Sequence, residues 1–332
     1  MTSEAQQRLL VRVALLYYEE NLNQEEIAAR LALSRSKVVR LLQEARRTGV
    51  VQIRVLAPHA SNRELERRLE KRFGLLQAVV ATPARPTPDA VRSAVGDEAA
   101  TVLSPMLKPG MVLGMASGTT MQAVVDAMPP VRVSNLKVVD IQGLLVATGG
   151  PHEFDALQAS HMAQRLGAEY QMLPVPRELS SPEVAAALRR DARVTQVLDL
   201  ARRASVLLVG VGAIPPLSPS LTHLPAELVG ELRQLGAVGE IAARFFDADG
   251  RPSASSLDAR LIGLELREML NAPMRIGVAF GEAKIAALAG ALAGRYVNTL
   301  VLDEQTARSL LAFGGAAADA GPAASTTRNG RD

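Results

Sequence analysis

The chain has 332 residues, no Cys, 48% hydrophobic and 21% charged residues, and a formal net charge of +3. The length predicts two domains, and the apolar balance excludes a largely disordered chain. Without Cys there are no disulfides, thiolate metal sites or cysteine nucleophiles, and so small a net charge leaves nucleic-acid affinity to a locally concentrated basic surface.

The opening MTSEAQQRLLVRVALLYYEEN reads as an amphipathic helix rather than a secretory leader. No later stretch reaches the roughly 18 uncharged apolar residues of a membrane span, so a cytoplasmic protein is expected.

Residues 1–56 read as helix, helix, turn, helix and a closing strand, VVQIRV. Residues 57–75 follow as a Pro-containing joint, APHAS, and a charged connecting helix, NRELERRLEKRFGL, with Leu65, Leu69 and Phe73 at four-residue spacing. From 76 to 313, apolar β-prone runs (QAVVAT, MVLGM, LKVVDIQG, SVLLVGVG, MRIGVAF, TLVLD) alternate with helical stretches, which predicts an α/β domain around a mostly parallel, buried sheet. Residues 314–332 are Ala, Gly and Ser/Thr rich and are expected to be disordered.

In NQEEIAARLALSRSKVVRLLQEARRTG, Asn23 can cap one helix with Glu26 three residues on, and Ser34 can cap the next. The second helix turns Val38, Leu41, Leu42 and Ala45 inward and a basic set outward. A recognition helix needs this division, because its first residues meet base edges in the major groove while later cations meet phosphates. Arg35, Ser36 and Lys37 are the base-edge candidates and Arg40 the phosphate contact; Gln24 and Ser34 complete the candidate DNA-binding set. A plain helical hairpin with a solvated basic face is the alternative.

The run VALLYYEENLNQEEIAARLALSRSKVVRLLQEARRTGVVQIRV resembles the N-terminal domain of the SorC-type sugar-binding transcriptional regulators. The resemblance continues through NRELERRLEKRFGLLQAVV to about Leu311. It implies a winged helix-turn-helix that binds operator DNA, an effector domain of the sugar-phosphate isomerase and CoA-transferase-like fold, and assembly into dimers or tetramers.

GMASGTTM follows an apolar run and opens a predicted helix, so free N–H groups and the hydroxyls of Ser117, Thr119 and Thr120 are expected to converge on sugar or phosphate oxygens. By itself such a segment is also found as a plain strand-to-helix turn. The resemblance makes Ser117, Gly118, Thr119 and Thr120 an effector-binding loop.

It also implies that Gln142 of IQGLL faces the ligand, a residue that otherwise reads as surface polar. In GAVGEIAARFFDADG, which is similar to a family signature, Glu240 takes the acidic position; a carboxylate there suits sugar hydroxyls or, alternatively, helix capping. Lys284 of IGVAFGEAKIAAL matches a ligand-facing Lys. Arg244 and the FFDADG turn read as structural. Glu282 departs from the usual small residue, and a second carboxylate near the site would disfavour a highly anionic effector.

His59, His152, His161 and His223 show no close metal-ligand spacing, so neither metal nor cofactor is expected. The expected partners are operator DNA, a sugar, polyol or sugar phosphate, and further copies of the chain. A sugar-phosphate isomerase-like enzyme is the rival reading, opposed by the fused helix-turn-helix and by the lack of an evident His or carboxylate dyad. A ligand-independent DNA-binding protein is the third.

Overall fold

The computed structural model describes residues 3–20, 22–51, 62–144, 157–214 and 224–314 and divides into two units, Met1–Pro58 and His59–Asp332. In the first lie α1 (Ser3–Tyr18), α2 (Gln24–Leu31) and α3 (Arg35–Arg47). Asn23 accepts from the N–H groups of Glu25 and Glu26 at 3.0 Å each, and the Glu26 carboxylate accepts from Asn23 N–H at 2.7 Å. This reciprocal box satisfies the otherwise orphan donors at the start of α2. The helix stops at Ala32, which turns left-handed at φ 50°, and Ser34 then caps α3 by accepting from Lys37 N–H.

Ile27, Val38, Leu41, Leu42 and Ala45 are buried together with Leu10, Val13 and Leu16 of α1, giving the unit its own small core. Of the strand expected at VVQIRV only Val50 and Val51 are described, and they form a bend; the rest of it, the APHAS joint and all but Gly314 of the tail lie outside the described residues.

The second unit starts with α4 (Arg63–Phe73), β1 (Gln77–Ala81), α5 (Pro88–Leu103), β2 (Val112–Met115), α6 (Thr119–Ala127), β3 (Lys137–Asp140), α7 (Gln158–Leu166) and β4 (Glu169–Gln171). It continues through α8 (Pro182–Arg189), α9 (Ala192–Arg202), β5 (Val206–Gly210), β6 (Gly212–Ala213), α10 (Ala226–Gln234), β7 (Ala237–Ile241) and β8 (Arg244–Asp247). It ends with α11 (Leu266–Met269), β9 (Met274–Val278), α12 (Ile285–Ala293), β10 (Thr299–Asp303) and α13 (Glu304–Ala312).

Seven strands form one sheet in the order β1-β10-β9-β5-β2-β3-β4, every pair parallel. One face packs under α5, α6 and α7 and the other under α4, α9, α12 and α13. Because both faces are covered, the strands are unbroken apolar runs rather than alternating ones.

After β2 the chain steps outward to β3 and β4; β5 then returns to the opposite side of β2, and β9 and β10 continue away. The connections diverge between β2 and β5, and in such sheets ligands bind at the carboxyl ends of the strands beside that switch point.

The segment GAVGEIAARFFDADG forms the hairpin β7–β8, paired through β6 and turned by Ala242 and Ala243 at φ 53° and 62°. Glu240 therefore lies in a strand and caps no helix. Gln142 is 5% exposed, which removes its surface reading.

Candidate functional site

In the first unit, the exposed side of α3 carries Arg35, Ser36 and Arg40, with Lys37 half-buried. Ser34 and Ser36 share a hydroxyl hydrogen bond of 3.1 Å beside the cap. Arg35 stands 3.6 Å from Glu25, an exposed pair that contributes little. Arg46 donates to Tyr18 Oη at 2.8 Å and Arg47 pairs with Glu44, so these two cations are anchored to their own unit. Lys37 and Arg40 form no ion pair among the described residues, and Gln24, at the first position of α2, is half-buried.

In the α/β unit the loop after β2 is held by two glutamines. Gln142 Nε2 donates to Ser117 Oγ at 2.6 Å, and Gly118 N–H donates to Gln158 Oε1 at 2.9 Å. Gly118 adopts φ 145°, a conformation that favours glycine, and leads directly into α6. Thr119 is exposed whereas Thr120 is buried. The buried Gln142 Oε1 has no donor among the described residues, a polar atom left facing an unmet hydrogen bond.

Beside β5, Gly212 of β6 pairs with Glu240 of β7. A Cβ at Gly212 would come within 2.0 Å of Glu240 Oε1, so glycine makes room for the carboxylate in this position. Glu240 Oε2 accepts from Ala243 N–H at 2.8 Å, bracing the hairpin turn.

Lys284 ends a 3-10 turn, Glu282–Lys284, that follows β9, and its ammonium lies 5.8 Å from the Phe280 ring centre. Burial lowers its pKa, and the negative charge of Glu240 pulls it back up, which places these two groups in one electrostatic environment. Glu282 is exposed; its carboxylate accepts from Gln305 Nε2 and the Ser309 hydroxyl, both on α13. Arg244 is structural: it donates to the carbonyls of Leu264 and Gly263 and pairs with Asp258.

Asp140, at the carboxyl end of β3, accepts from Tyr170 Oη at 2.8 Å and Leu173 N–H at 3.1 Å. Burial pushes its carboxyl up to about 6 despite both hydrogen bonds. The sequence signal for Asp140 was a lone acid closing an apolar strand. Gln158 lies forty positions from its partner Gly118 and gave no local signal.

Among the described residues no group of His, Asp and Glu side chains is arranged to hold a metal ion, and no helix is long and apolar enough to cross a membrane.

Residues 58–312 match the family described as "Putative sugar-binding domain". The chain belongs to the SorC family of sugar-binding transcriptional regulators. It is 32% identical to the deoxyribonucleoside regulator of Bacillus subtilis over 309 residues, covering 92% of this chain and 97% of that protein. It is 35% identical to the transcriptional regulator LsrR of Klebsiella pneumoniae, covering 93% and 94%. The full-length sorbitol operon regulator SorC of Klebsiella pneumoniae superposes with a TM-score of 0.75 at 29% identity, covering 92% of this chain and 98% of that one. This SorC-family chain is thus a transcriptional regulator that couples a DNA-binding unit to a sugar-binding effector domain.

Proposed function

We propose that the chain reads its operator with Arg35, Ser36 and Lys37, supported by Gln24, Ser34 and Arg40. Its effector is a sugar or polyol, neutral or carrying one phosphate, held by Ser117, Gly118, Thr119, Thr120, Gln142, Glu240 and Lys284. The observation that carries the effector reading is the shared environment of Glu240, paired with Gly212 just after β5, and Lys284, on the turn after β9, the strand next to β5. The start of α6 offers N–H groups to an anion, while Glu240 supplies an acceptor for hydroxyls. Because Glu282 is engaged by α13, it opposes a single phosphate less than its position in the sequence suggested.

Relatives named for sorbitol and for deoxyribonucleosides direct the first choice of compounds. The domain acts as a sensor rather than an enzyme, in keeping with relatives that are named regulators, and functions in the cytoplasm. One recognition helix reads too few base pairs for tight specific binding, so the working form is a homo-oligomer.

A thermal-shift screen of the full chain with sorbitol, 2-deoxyribose, other sugars and polyols and their monophosphates tests the reading. A bound effector raises the melting temperature, by about 2.7 kcal/mol of stabilisation at a hundredfold excess over Kd, and is recovered unchanged. A panel in which no compound raises it contradicts the proposal.

A further inference from the structure

Lys284 stands on a turn that α13 holds in place. Gly281 N–H donates to Thr306 Oγ1 at 2.7 Å. The Thr306 hydroxyl in turn donates to the Asp303 carboxylate, which also accepts Thr306 N–H at 3.1 Å. Asp303 and Thr306 are buried, and Lys284 N–H closes the turn on the Gly281 carbonyl at 3.0 Å. Gln305 and Ser309 bind Glu282 from the same helix.

The far end of α13 is held just as specifically. Arg72 of α4 donates to the carbonyls of Leu311 and Phe313, among the last of the helix. These groups have no partner within the helix, and the negative end of its dipole favours a cation. α4 is itself fastened to edge strand β1: Glu66 accepts from Val80 N–H and Glu70 from Ala78 N–H, both at 3.0 Å. It is also the first helix of this unit that the chain enters after the DNA-binding unit.

We propose that α13 is the coupling element of the effector domain, tying the Lys284 turn at its start to the connecting helix α4 at its end. The proposal rests on the reading of Lys284 as an effector contact. α13 is about 13 Å long and carries hydrogen bonds at both ends, so displacement of the turn is passed to α4 rather than absorbed. Asp303 and Thr306 are positioning residues for Lys284, and Arg72 is the output contact.

Amide hydrogen exchange on the ligand-free full chain tests this, with Arg72→Met, Thr306→Val and Thr306→Ser. Arg72→Met removes a partly exposed side chain and leaves the core intact. It should speed exchange in residues 281–285 as well as in α4 by at least about fivefold, because it removes both hydrogen bonds to the end of α13 and one alone is worth roughly 1 kcal/mol.

Thr306→Val should speed exchange in the same two segments, with Thr306→Ser restoring wild-type rates and α9 unaffected throughout. Changes confined to the segment beside each substitution, or spread evenly into α9, would overturn the proposal. If Thr306→Val does not fold, Arg72→Met alone decides. No effector enters the experiment, so its failure leaves the effector assignment standing, and a failed compound screen does not alter its outcome.

Discussion

Gln142 Nε2 donates to Ser117 Oγ across 2.6 Å, joining the carboxyl ends of the neighbouring strands β2 and β3. Because that hydroxyl accepts from the amide, its own proton is free to be donated elsewhere, while Gln142 Oε1 remains without a donor among the described residues. In the proposed effector site a sugar hydroxyl would complete both. Gln142→Leu should weaken effector binding by about tenfold, one hydrogen bond, yet change stability by less than about 1 kcal/mol, because an apolar group of similar shape replaces an amide already lacking one partner. Calorimetry and thermal melting of the same variant measure the two effects separately.

Asp140 gives stability a specific pH dependence. Its carboxyl titrates near 3.8 ordinarily and at about 6 in its buried site. The stability this group contributes is fully present below about pH 4. It is lost as the pH rises to about 6, where the buried carboxyl must ionise. Asp140→Asn removes the titration, so the variant should gain on wild type between pH 4 and pH 7, on the order of 2 to 3 kcal/mol. Parallel melting curves showing a constant difference across that range would count against the assignment.

Ala32 sits exposed in the helix-turn-helix at φ 50°, where a Cβ is strained. Ala32→Gly should stabilise the DNA-binding unit by up to about 1 kcal/mol and leave operator selectivity unchanged. Urea titration of the isolated residues 1–58, if they fold alone, or otherwise of the full chain, reads the change; a loss of stability contradicts it.

The legible parts of the sequence were those governed by local rules. Asn23 with Glu26, and Ser34 before a basic helix, announced α2 and α3 because capping is written within four residues. The buried parallel strands announced themselves as apolar runs bounded by helices. The hairpin at Ala237–Asp247 did not, since its turn is made by two alanines in place of the Asn or Gly that usually mark one. Glu240 was consequently compatible with a helix cap until its pairing with Gly212 was seen. Contacts such as Gly118 with Gln158, or Gly281 with Thr306, arise only when distant segments meet at one end of the sheet. Thr119 and Thr120, adjacent in sequence, point to different environments because successive helical positions diverge by about a quarter turn or more.

One titration reads whether Lys284 carries the effector's control of operator binding. An operator duplex is first selected from a random pool by the wild-type chain. Its affinity is then measured by fluorescence anisotropy at fixed salt, for wild type and Lys284→Ala, with and without the best compound of the thermal-shift screen. The compound should change wild-type affinity by about 5- to 150-fold, the usual range of coupling between two sites. Lys284→Ala should bind the operator as tightly as wild type without the compound and show no change with it. A Lys284→Ala chain whose operator affinity shifts as far as that of wild type would contradict the account.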